Sequence, residues 1–434
     1  MPAARHYALR PKLRAARGPG RALGAPPVRS YTRDVNEPSR GSALWPLLAT
    51  LAMQTLATMA VFSVPAAAPE IAHDLDVPGA LVGFFVAAVY GVGILSSLFS
   101  PGFVHRYGPV RVIQVIMVAT MAMLLAAADG TLVSVVLGAV LLGLAYGATA
   151  PASTHLLVPH TPRRVFNLVM SIRQVGVPLG GIGAGLIVPP LAVSIGWRGA
   201  LLAQAPAALP LLVLMQFPRR RWDAARDPDA RLWGEAIPQL AALWRDSAPI
   251  RRLSVASFIY SGVQLAFIAF MTVHLTQDAG FDLVRAGWTL AAYQVAGAVA
   301  RPVLGIVADR LVGPPRLLAL LGAAMCVAAI ASARLSPAWP AWVVVGTAVL
   351  AGASASGYTG LAYAEYARLG GVRGTLATGL GSAAMFTGVL IVPPAFGTAA
   401  TALGGFTPPF MALGMLALGA AWLCMGMAPA ARRP

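Results

Sequence analysis

The sequence has few charged residues. They make up 11% of its 434 residues, whereas a soluble domain usually carries about 25%. The charges stand in short clusters with long apolar stretches between them, and hydrophobic residues reach 58% of the chain. This distribution disfavours a water-soluble enzyme. It predicts a polytopic membrane protein, because each stretch is long enough to cross a bilayer as a helix.

Cysteine and lysine are almost absent. Cys326 and Cys424 are the only cysteines, and Lys12 is the only lysine. Both cysteines lie in apolar stretches without the spacing of a partner, so we expect neither a disulfide framework nor a metal site. The scarcity of lysine beside arginine, together with abundant alanine, glycine and proline, is typical of a GC-rich bacterial genome.

Catalytic signatures are also missing. The sequence contains no H-E-x-x-H, no G-x-x-x-x-G-K-[ST] and no G-x-S-x-G, which mark zinc proteases, phosphate-binding loops and serine hydrolases. We therefore expect neither an enzyme nor a cofactor, and no ATP hydrolysis by this chain. Uphill transport would have to use an ion gradient or exchange.

The apolar stretches predict an all-α membrane protein with twelve transmembrane helices. A helix needs about 20 apolar residues to cross the bilayer core. By that length the predicted spans are residues 44–65, 79–100, 110–128, 131–152, 166–188, 199–217, 251–275, 286–307, 316–334, 341–364, 375–396 and 407–428. The even number places both termini on the same side of the membrane.

Arginine marks one side of the membrane. With the termini in the cytoplasm, the outer connections hold only Arg198, Arg285 and Arg334, and nearly all other basic residues lie on the cytoplasmic side. This asymmetry is the usual orientation signal of an inner-membrane protein. Anchorage near anionic lipid also explains the net charge of +17, so we predict no nucleic-acid partner.

The spans and loops predict five segments. Residues 1–43 form a basic cytoplasmic arm that we expect to be disordered, since it is rich in arginine, glycine and proline; an organelle transit peptide is the alternative. Residues 44–217 and 251–428 each form a set of six spans. Residues 218–250 form a central cytoplasmic loop with a short interfacial helix, and residues 429–434 form a cytoplasmic tail.

The two halves repeat one pattern. A constant shift of 204 positions, without gaps, superposes Gly93 on Gly297 and His105 on Asp309. A shared register that ends at a basic turn is hard to attribute to chance packing. Parallel repeats of six spans are the architecture of one large class of transporters, so the sequence predicts two pseudo-symmetric six-helix bundles.

A signature motif follows the second span of each half. The second copy runs from Gly305 through Asp309 and Arg310, and the first copy carries His105 in place of the acid. With these residues, the chain resembles the major facilitator superfamily from residue 44 to residue 428. The motif of that family between spans two and three has the form G-x-x-x-D-R-x-G-R-[RK]. The resemblance implies a bacterial secondary transporter that works by alternating access.

In that family the motif latches the cytoplasmic side of the outward-open state. By resemblance, the predicted gating residues are His105, Arg106, Arg111, Asp309 and Arg310, with Arg301 beside them at the cytoplasmic edge of its span. A carboxylate near a helix N-terminus is favourable, and the contact is lost when the halves rock apart. Two alternatives stay open: the charges could serve topology alone, and the latch at His105 could respond to pH.

Glycine is concentrated in the fifth span. Antiporter branches of the resembled family carry a glycine- and proline-rich signature in this helix, but one spacer is missing here, so we do not infer antiport. Small residues at helix spacing let neighbouring helices approach closely. We therefore predict a close-packing, bendable helix face formed by Gly176, Gly180, Gly181 and Gly185.

Arg173 is the best candidate for a charge that binds a ligand. It lies inside the fifth span, roughly 24 Å from the outer end at 1.5 Å per residue. An ionisable group inside a span is a functional hypothesis because its burial is costly. Arg173 could reach a central cavity and bind a carboxylate. A snorkelling or gate-bracing role is the equal alternative.

Uncharged polar residues are expected to complete the cavity. No Asp or Glu falls in mid-membrane, which disfavours a proton-coupled exporter of cationic drugs because such a protein usually needs a carboxylate. The predicted substrate-binding residues besides Arg173 are Gln54, Tyr90, Tyr146 and Gln174 in the first half and Tyr260, Gln264, Gln294 and Tyr358 in the second. Each could equally serve only as an interhelical hydrogen bonder.

The predicted function is transport of a small solute, with an organic anion favoured, across the bacterial inner membrane. The expected partners are the small-molecule substrate, a coupling ion and the lipid bilayer, and we expect a monomer. Two alternatives stay open. One is an exporter of neutral or lipophilic compounds, as in drug efflux, and the other is a membrane sensor that keeps the fold but only binds its ligand.

Overall fold

The computed structural model describes residues 43–76, 79–230, 232, 236–277, 280–281, 283–336 and 338–427. Apart from Ala43, the predicted basic arm lies outside these residues, and so does the predicted tail. All regular structure in these ranges is helical, and no strand occurs in them. The predicted all-α class is therefore confirmed.

The described helices are long and apolar enough for twelve membrane crossings. Ten segments are long and apolar enough to span a bilayer. Two of them, Arg163–Leu214 with 52 residues and Ala341–Ala402 with 62 residues, each contain two crossings, since about 20 residues suffice for one. We number the crossings span 1 to span 12. Spans 1 to 4 are Leu44–Ala66, Gly79–Tyr107, Pro109–Ala128, and Leu132–Tyr146 together with Thr149–Leu157. Span 5 is Phe166–Gln174 together with the part of Gly176–Gln204 before Gly196, and span 6 is the rest of that helix together with Leu209–Leu214. Spans 7 to 12 are Ala248–Gln277, Leu283–Arg310, Pro314–Ala333, Ala341–Ala351 together with Tyr358–Gly370, Gly374–Ala402, and Thr407–Met425.

Local sequence sets the ends of several spans. Gly196 has φ 77° and ψ 157° and turns the chain between spans 5 and 6, a conformation that glycine adopts without strain. Pro109 and Pro314 begin spans 3 and 9, where the missing N–H would have no helical partner. Thr131 and Ser134 form a reciprocal capping box at the start of span 4. These particular connections are therefore short.

The two ends of the membrane domain differ in charge. The connections after spans 2, 4, 8 and 10 lie at one end together with the segment between the two halves, and Arg106, Arg163 and Arg373 are found there. We call this end the arginine-rich face. The connections that carry Arg198 and Arg334 lie at the other end, which we call the opposite face.

Two hydrophobic cores divide the spans. One core is built from spans 1 to 6, and the other is built mainly from spans 7 to 12. A few residues cross over: Phe386 of span 11 packs in the first core, while Leu157 and Val169 pack in the second. The structure thus contains the two predicted six-helix bundles. The limits of the bundles at 44–217 and 251–428 stay a prediction.

The repeat is visible in the packing of span 5 on span 1 and of span 11 on span 7. A Cβ atom at Gly180 would lie 2.5 Å from the carbonyl oxygen of Thr55, and one at Gly388 would lie 2.0 Å from that of Phe258. Only glycine lets these backbones approach so closely. The predicted glycine face is therefore confirmed at Gly180 and also at Gly176, where a Cβ would lie 2.9 Å from the carbonyl oxygen of Leu51. A Cβ at Gly181 would make only an ordinary contact of 3.8 Å, and one at Gly185 would meet no atom within 4 Å.

The segment between the bundles is anchored to both of them. Its helix Ala236–Asp246 buries Leu243 in the second core and leaves Trp244 exposed. Earlier in the segment, Asp223 accepts a hydrogen bond of 2.8 Å from the amide of Val110 and caps the start of span 3. Burial raises the pKa of the Asp223 carboxyl above its ordinary value, and the amide donors oppose that shift.

We expect Gly180→Ala to destabilise the protein by about 1–3 kcal/mol, because the added methyl group overpacks the contact with span 1. The apparent melting temperature in detergent should fall by several degrees. Gly185→Ala is the matched control in the same helix and should not lower it, since its methyl group meets open space. Equal melting temperatures for the two variants would contradict the close-contact argument.

Candidate functional site

Arg173 lies in the protein interior between the bundles. Its side chain is 1% exposed. The guanidinium donates to Gln54 Oε1 at 3.1 Å and to Ser153 Oγ at 3.3 Å, and it also donates to the side-chain oxygen of Gln174. On the other side it lies over the ring of Tyr363 in span 10, 5.2 Å from the centroid. Residues of both bundles therefore surround this cation.

Aromatic rings lie beside the network of Arg173. Tyr146 contacts Gln54 through a hydrogen bond of 3.4 Å and Thr58 through one of 3.1 Å. Its ring stacks on Phe386 with a centroid distance of 5.7 Å, and Tyr90 packs on both rings at 5.9 Å and 5.2 Å. Because Phe386 comes from span 11, an aromatic group of the second bundle is held between two tyrosines of the first.

Arg301 is a second buried cation, in span 8 of the other bundle. It is also 1% exposed, and it lies nine residues before the end of its helix at Arg310. Its Nη2 donates to Ser356 Oγ at 3.3 Å, and its Nε donates to Thr359 Oγ1 at 3.4 Å. Ser356 also accepts a hydrogen bond from Gln264. The structure thus places Arg301 in the interior of its span, whereas the sequence analysis expected it at the cytoplasmic edge.

Neither guanidinium has a negative partner in the part of the chain that the structure describes. The ion pairs found there are Arg198–Asp74, Arg219–Asp223, Arg245–Asp246 and Arg368–Glu365. Nε of Arg173 and Nη1 of Arg301 are buried without a hydrogen-bond partner. Burial of an unpaired charge is unfavourable, and each free N–H can donate to an incoming acceptor. We call the group formed by Gln54, Tyr146, Arg173, Arg301, Tyr363 and Phe386 the central cluster.

Some predicted substrate-binding residues use their polar groups elsewhere. Tyr260 donates to the carbonyl of Leu318 at 3.0 Å, and Tyr358 donates to that of Ser257 at 3.5 Å, so both hydroxyls are used inside the second bundle. Gln294 of span 8 is only partly buried. The structure does bring together Gln54, Tyr90, Tyr146, Arg173 and Gln174, all of which were predicted, and Gln264 reaches the cluster through Ser356.

Asp309 joins the two bundles at the arginine-rich face. Its carboxylate accepts hydrogen bonds from the amides of Asn167 and Leu168 at 3.1 Å and 2.9 Å, and from the Asn167 side chain at 2.7 Å. These groups begin the helix Phe166–Gln174 of span 5. A carboxylate at a helix N-terminus interacts favourably with the free amides and the helix dipole.

Glycines tighten the same interface. A Cβ at Gly360 of span 10 would lie 2.4 Å from Cα of Ser171, and one at Gly379 of span 11 would lie 2.3 Å from the carbonyl oxygen of Ser97. In both pairs the two residues belong to different bundles. The backbones of the bundles are thus in direct contact at the level of the central cluster and, at Gly379, between the cluster and the arginine-rich face.

The first copy of the motif makes a different contact. The ring of His105 meets that of His155 edge-on with a centroid distance of 5.0 Å. Nδ1 of His155 is 3.1 Å from Oγ1 of Thr375 at the start of span 11. The link to the second bundle therefore passes through His155 and the hydroxyl group of Thr375. Whether this link responds to pH stays a prediction.

The other predicted gating residues lie at the arginine-rich face. Arg106 donates to the carbonyl of Ala230 at 3.4 Å, and Arg111 donates to Gln114 Oε1 at 2.9 Å. Arg310 is exposed. These contacts stay within the first bundle and the segment that follows it. A gating role for these residues stays a prediction.

Several residues of the site were not predicted from the sequence. Tyr363 and Phe386 are aromatic residues in apolar spans, where nothing distinguishes them from ordinary core aromatics. His155 lies beyond the predicted span 131–152, and only the structure places it in the helix Thr149–Leu157 of span 4. Asn167 and Thr375 lie at helix starts, and their partners could be known only once the two bundles were placed together.

Comparison with known proteins decides the family. The family model described as Major Facilitator Superfamily matches residues 50–372 and, in a second match, residues 253–434. The chain belongs to the major facilitator superfamily. The overlap of the second match with the first is consistent with the repeated halves.

Two bacterial members of the superfamily are similar in sequence. A gallate transporter of Pseudomonas putida is 27% identical over 224 residues, which are 45% of this chain and 50% of that protein. The 4-hydroxybenzoate transporter PcaK of Pseudomonas aeruginosa is 25% identical over 273 residues, 56% of this chain and 61% of that protein. The matches thus span half to three fifths of these relatives.

Solved structures of the superfamily share the fold. The crystal structure of the transporter FucP in the outward conformation has a TM-score of 0.70 and 16% identity, and the match covers 90% of this chain and 100% of that one. The structure of the proton:xylose symporter XylE bound to 6-bromo-6-deoxy-D-glucose also has a TM-score of 0.70, with 14% identity and coverage of 89% and 96%. The predicted superfamily fold is confirmed.

We expect Asp309→Asn to weaken the closed interface between the bundles. The amide removes the negative charge and leaves one carbonyl acceptor for three donors, which should cost about 1–2 kcal/mol. A cysteine in place of Ser171, which is buried at this interface, should then react about tenfold faster with a water-soluble maleimide. Both native cysteines would first be replaced, by Cys326→Ala and Cys424→Ala, so that the maleimide reacts only at position 171.

Asp129→Asn is the control for this experiment. Asp129 is exposed in the turn before span 4 on the opposite face, so its change should leave the labelling rate of Ser171→Cys as it was. Equal labelling rates in the Asp309→Asn variant and the parent would show that this carboxylate does not hold the interface.

Proposed function

We propose that this chain is a secondary transporter that carries a small organic anion across the bacterial inner membrane by alternating access. The observation that carries the proposal is the burial of Arg173 between the bundles without any carboxylate partner among the described residues. A buried guanidinium with a free Nε–H is a natural ligand for a carboxylate, which can take two parallel hydrogen bonds from it.

The aromatic rings of the central cluster support an aromatic carboxylate as the substrate class. Tyr146, Phe386 and Tyr90 lie next to the arginine network, and aromatic rings pack favourably against one another in offset or edge-on arrangements. The relatives named as transporters of gallate and of 4-hydroxybenzoate point to the same chemistry. Their names do not favour export of neutral compounds or a sensor role.

Alternating access is supported by the way in which the bundles meet. Asp309 and the glycines at the interface join the two bundles on the arginine-rich side of Arg173. Rocking of one bundle against the other would pull Asp309 from the start of span 5 and open this side. We assign the arginine-rich face to the cytoplasm, with both termini there, because basic connections are retained on the cytoplasmic side. His105, Arg106, Arg111, Asp309 and Arg310 remain the proposed gating residues.

The proposal also covers the partners of the protein. We propose that it works as a monomer in the lipid bilayer with a coupling ion, without catalytic activity and without a nucleic-acid partner. Net import of an anion against an inside-negative potential requires a co-transported cation or an exchanged anion. An uptake assay can distinguish co-transport from exchange, because only co-transport depends on an imposed gradient of the cation.

We expect Arg173→Gln to reduce uptake of labelled 4-hydroxybenzoate into liposomes by tenfold or more. Loss of a hydrogen bond to a charged group costs about 1.5–3 kcal/mol, and glutamine keeps the polarity and approximate length of the side chain. Initial rates would be measured over a range of substrate concentrations, with the amount of reconstituted protein held constant.

Arg198→Gln is the matched control. Arg198 pairs with Asp74 on the opposite face at 2.9 Å, and about half of each side chain is exposed, so this arginine should be dispensable for uptake. If wild type transports the acid and Arg173→Gln transports it with unchanged kinetics, Arg173 is not a ligand. If wild type moves no aromatic carboxylate, the proposed substrate class is wrong.

A further inference from the structure

Arg301 has the properties of a second substrate ligand. Its two hydrogen bonds, to the hydroxyls of Ser356 and Thr359, are long at 3.3 Å and 3.4 Å. A guanidinium has five N–H donors, and Nη1 of Arg301 is buried without a partner. The contacts with span 10 therefore leave much of the hydrogen-bonding capacity of this buried side chain unused.

The surroundings of Arg301 are rigid. A Cβ at Gly352 would lie 2.0 Å from the carbonyl oxygen of Tyr293, and one at Gly297 would lie 2.4 Å from Cβ of Ser356. Spans 8 and 10 are thus pressed together where they hold Arg301. Span 10 forms a π-helical turn from Gly352 to Ser356 at this level, a feature that is frequent at functional sites. A ligand group fixed in this way binds without a large loss of side-chain entropy.

The two arginines face a common region from different bundles. Arg301 donates to Oγ1 of Thr359, and Arg173 lies over the ring of Tyr363. Thr359 and Tyr363 are one turn apart on the same face of the helix Tyr358–Gly370, so the two guanidinium groups contact neighbouring positions of span 10. No carboxylate among the described residues pairs with either cation, so two buried positive charges remain uncompensated.

We propose that Arg301 binds the substrate together with Arg173, and that the site selects an organic dianion with one carboxylate for each arginine. A monoanion would compensate only one of the two buried charges, whereas a dicarboxylate compensates both. The substrate would then connect the two bundles directly. This inference rests on the proposed transport of an organic anion and names the charge of that anion.

The test compares one ring that carries one carboxylate with the same ring that carries two. Binding of benzoate, phthalate, isophthalate and terephthalate to the purified full-length protein would be measured by calorimetry at neutral pH, where all the carboxylates are ionised. The three isomers vary the separation of the charges. We expect at least one of them to bind about tenfold or more tightly than benzoate, since each charged contact contributes that much.

Arg301→Gln should remove this preference, so that the dissociation constants of that isomer and of benzoate, measured in the same variant, differ by less than about twofold. Arg301→Lys restores the positive charge and should recover most of the preference for the dicarboxylate. A role in folding alone would lower the binding of all four ligands alike and would not be rescued selectively by lysine. Arg198→Gln serves as the control and should behave like wild type.

Each outcome decides between the two proposals. If wild type binds benzoate and no isomer binds more tightly, the dianion site is wrong while the anion transporter stands. An isomer preference that survives Arg301→Gln would show that another group supplies the second charge, which also overturns the inference. If wild type binds none of the four acids, the proposed anion transport falls and this inference falls with it. Should Arg301→Gln fail to fold, the isomer series and Arg301→Lys still decide.

Discussion

The helix Phe166–Gln174 connects the interface of the bundles to the central cluster. Asp309 of the second bundle accepts hydrogen bonds from its first amides, and Arg173 lies in its last turn. A carboxylate at the start of a helix and a cation at its end both interact favourably with the helix dipole. The helix is only nine residues long, so the contact between the bundles and the buried cation lie within about 14 Å of each other along one helix.

The low polarity of the membrane interior determines what a buried arginine requires. In water a guanidinium needs no partner, but when buried it requires hydrogen bonds and a counter-charge. The guanidinium group of Arg173 donates hydrogen bonds to neutral oxygens of Gln54, Ser153 and Gln174, and that of Arg301 donates to two hydroxyl groups. Neutral acceptors hold the cations in position without cancelling their charge, so the attraction for an anion is preserved.

The two bundles repeat each other in their close backbone contacts but differ in the polar residues that join them. Gly180 and Gly388 repeat the same close approach in the two halves, since a glycine contact depends only on the helix crossing. The motif copies differ: Asp309 caps span 5 with its charge, while His105 meets His155, and His155 meets Thr375. The two links between the bundles therefore rest on different chemistry, and only one of them involves a charge at a helix terminus.

The sequence by itself determined the number of spans, the charge asymmetry of the two faces, the repeat and the family, because apolar length, arginine position and motif spacing are local properties of the chain. It also predicted Arg173, since a lone charge in a span is conspicuous. Only the tertiary structure decided which aromatic residues join it, because Tyr363 and Phe386 look like core residues until the bundles are packed. For the same reason only the structure showed that Arg301 lies in the interior, since span boundaries read from hydropathy do not report which face of a helix meets the other bundle.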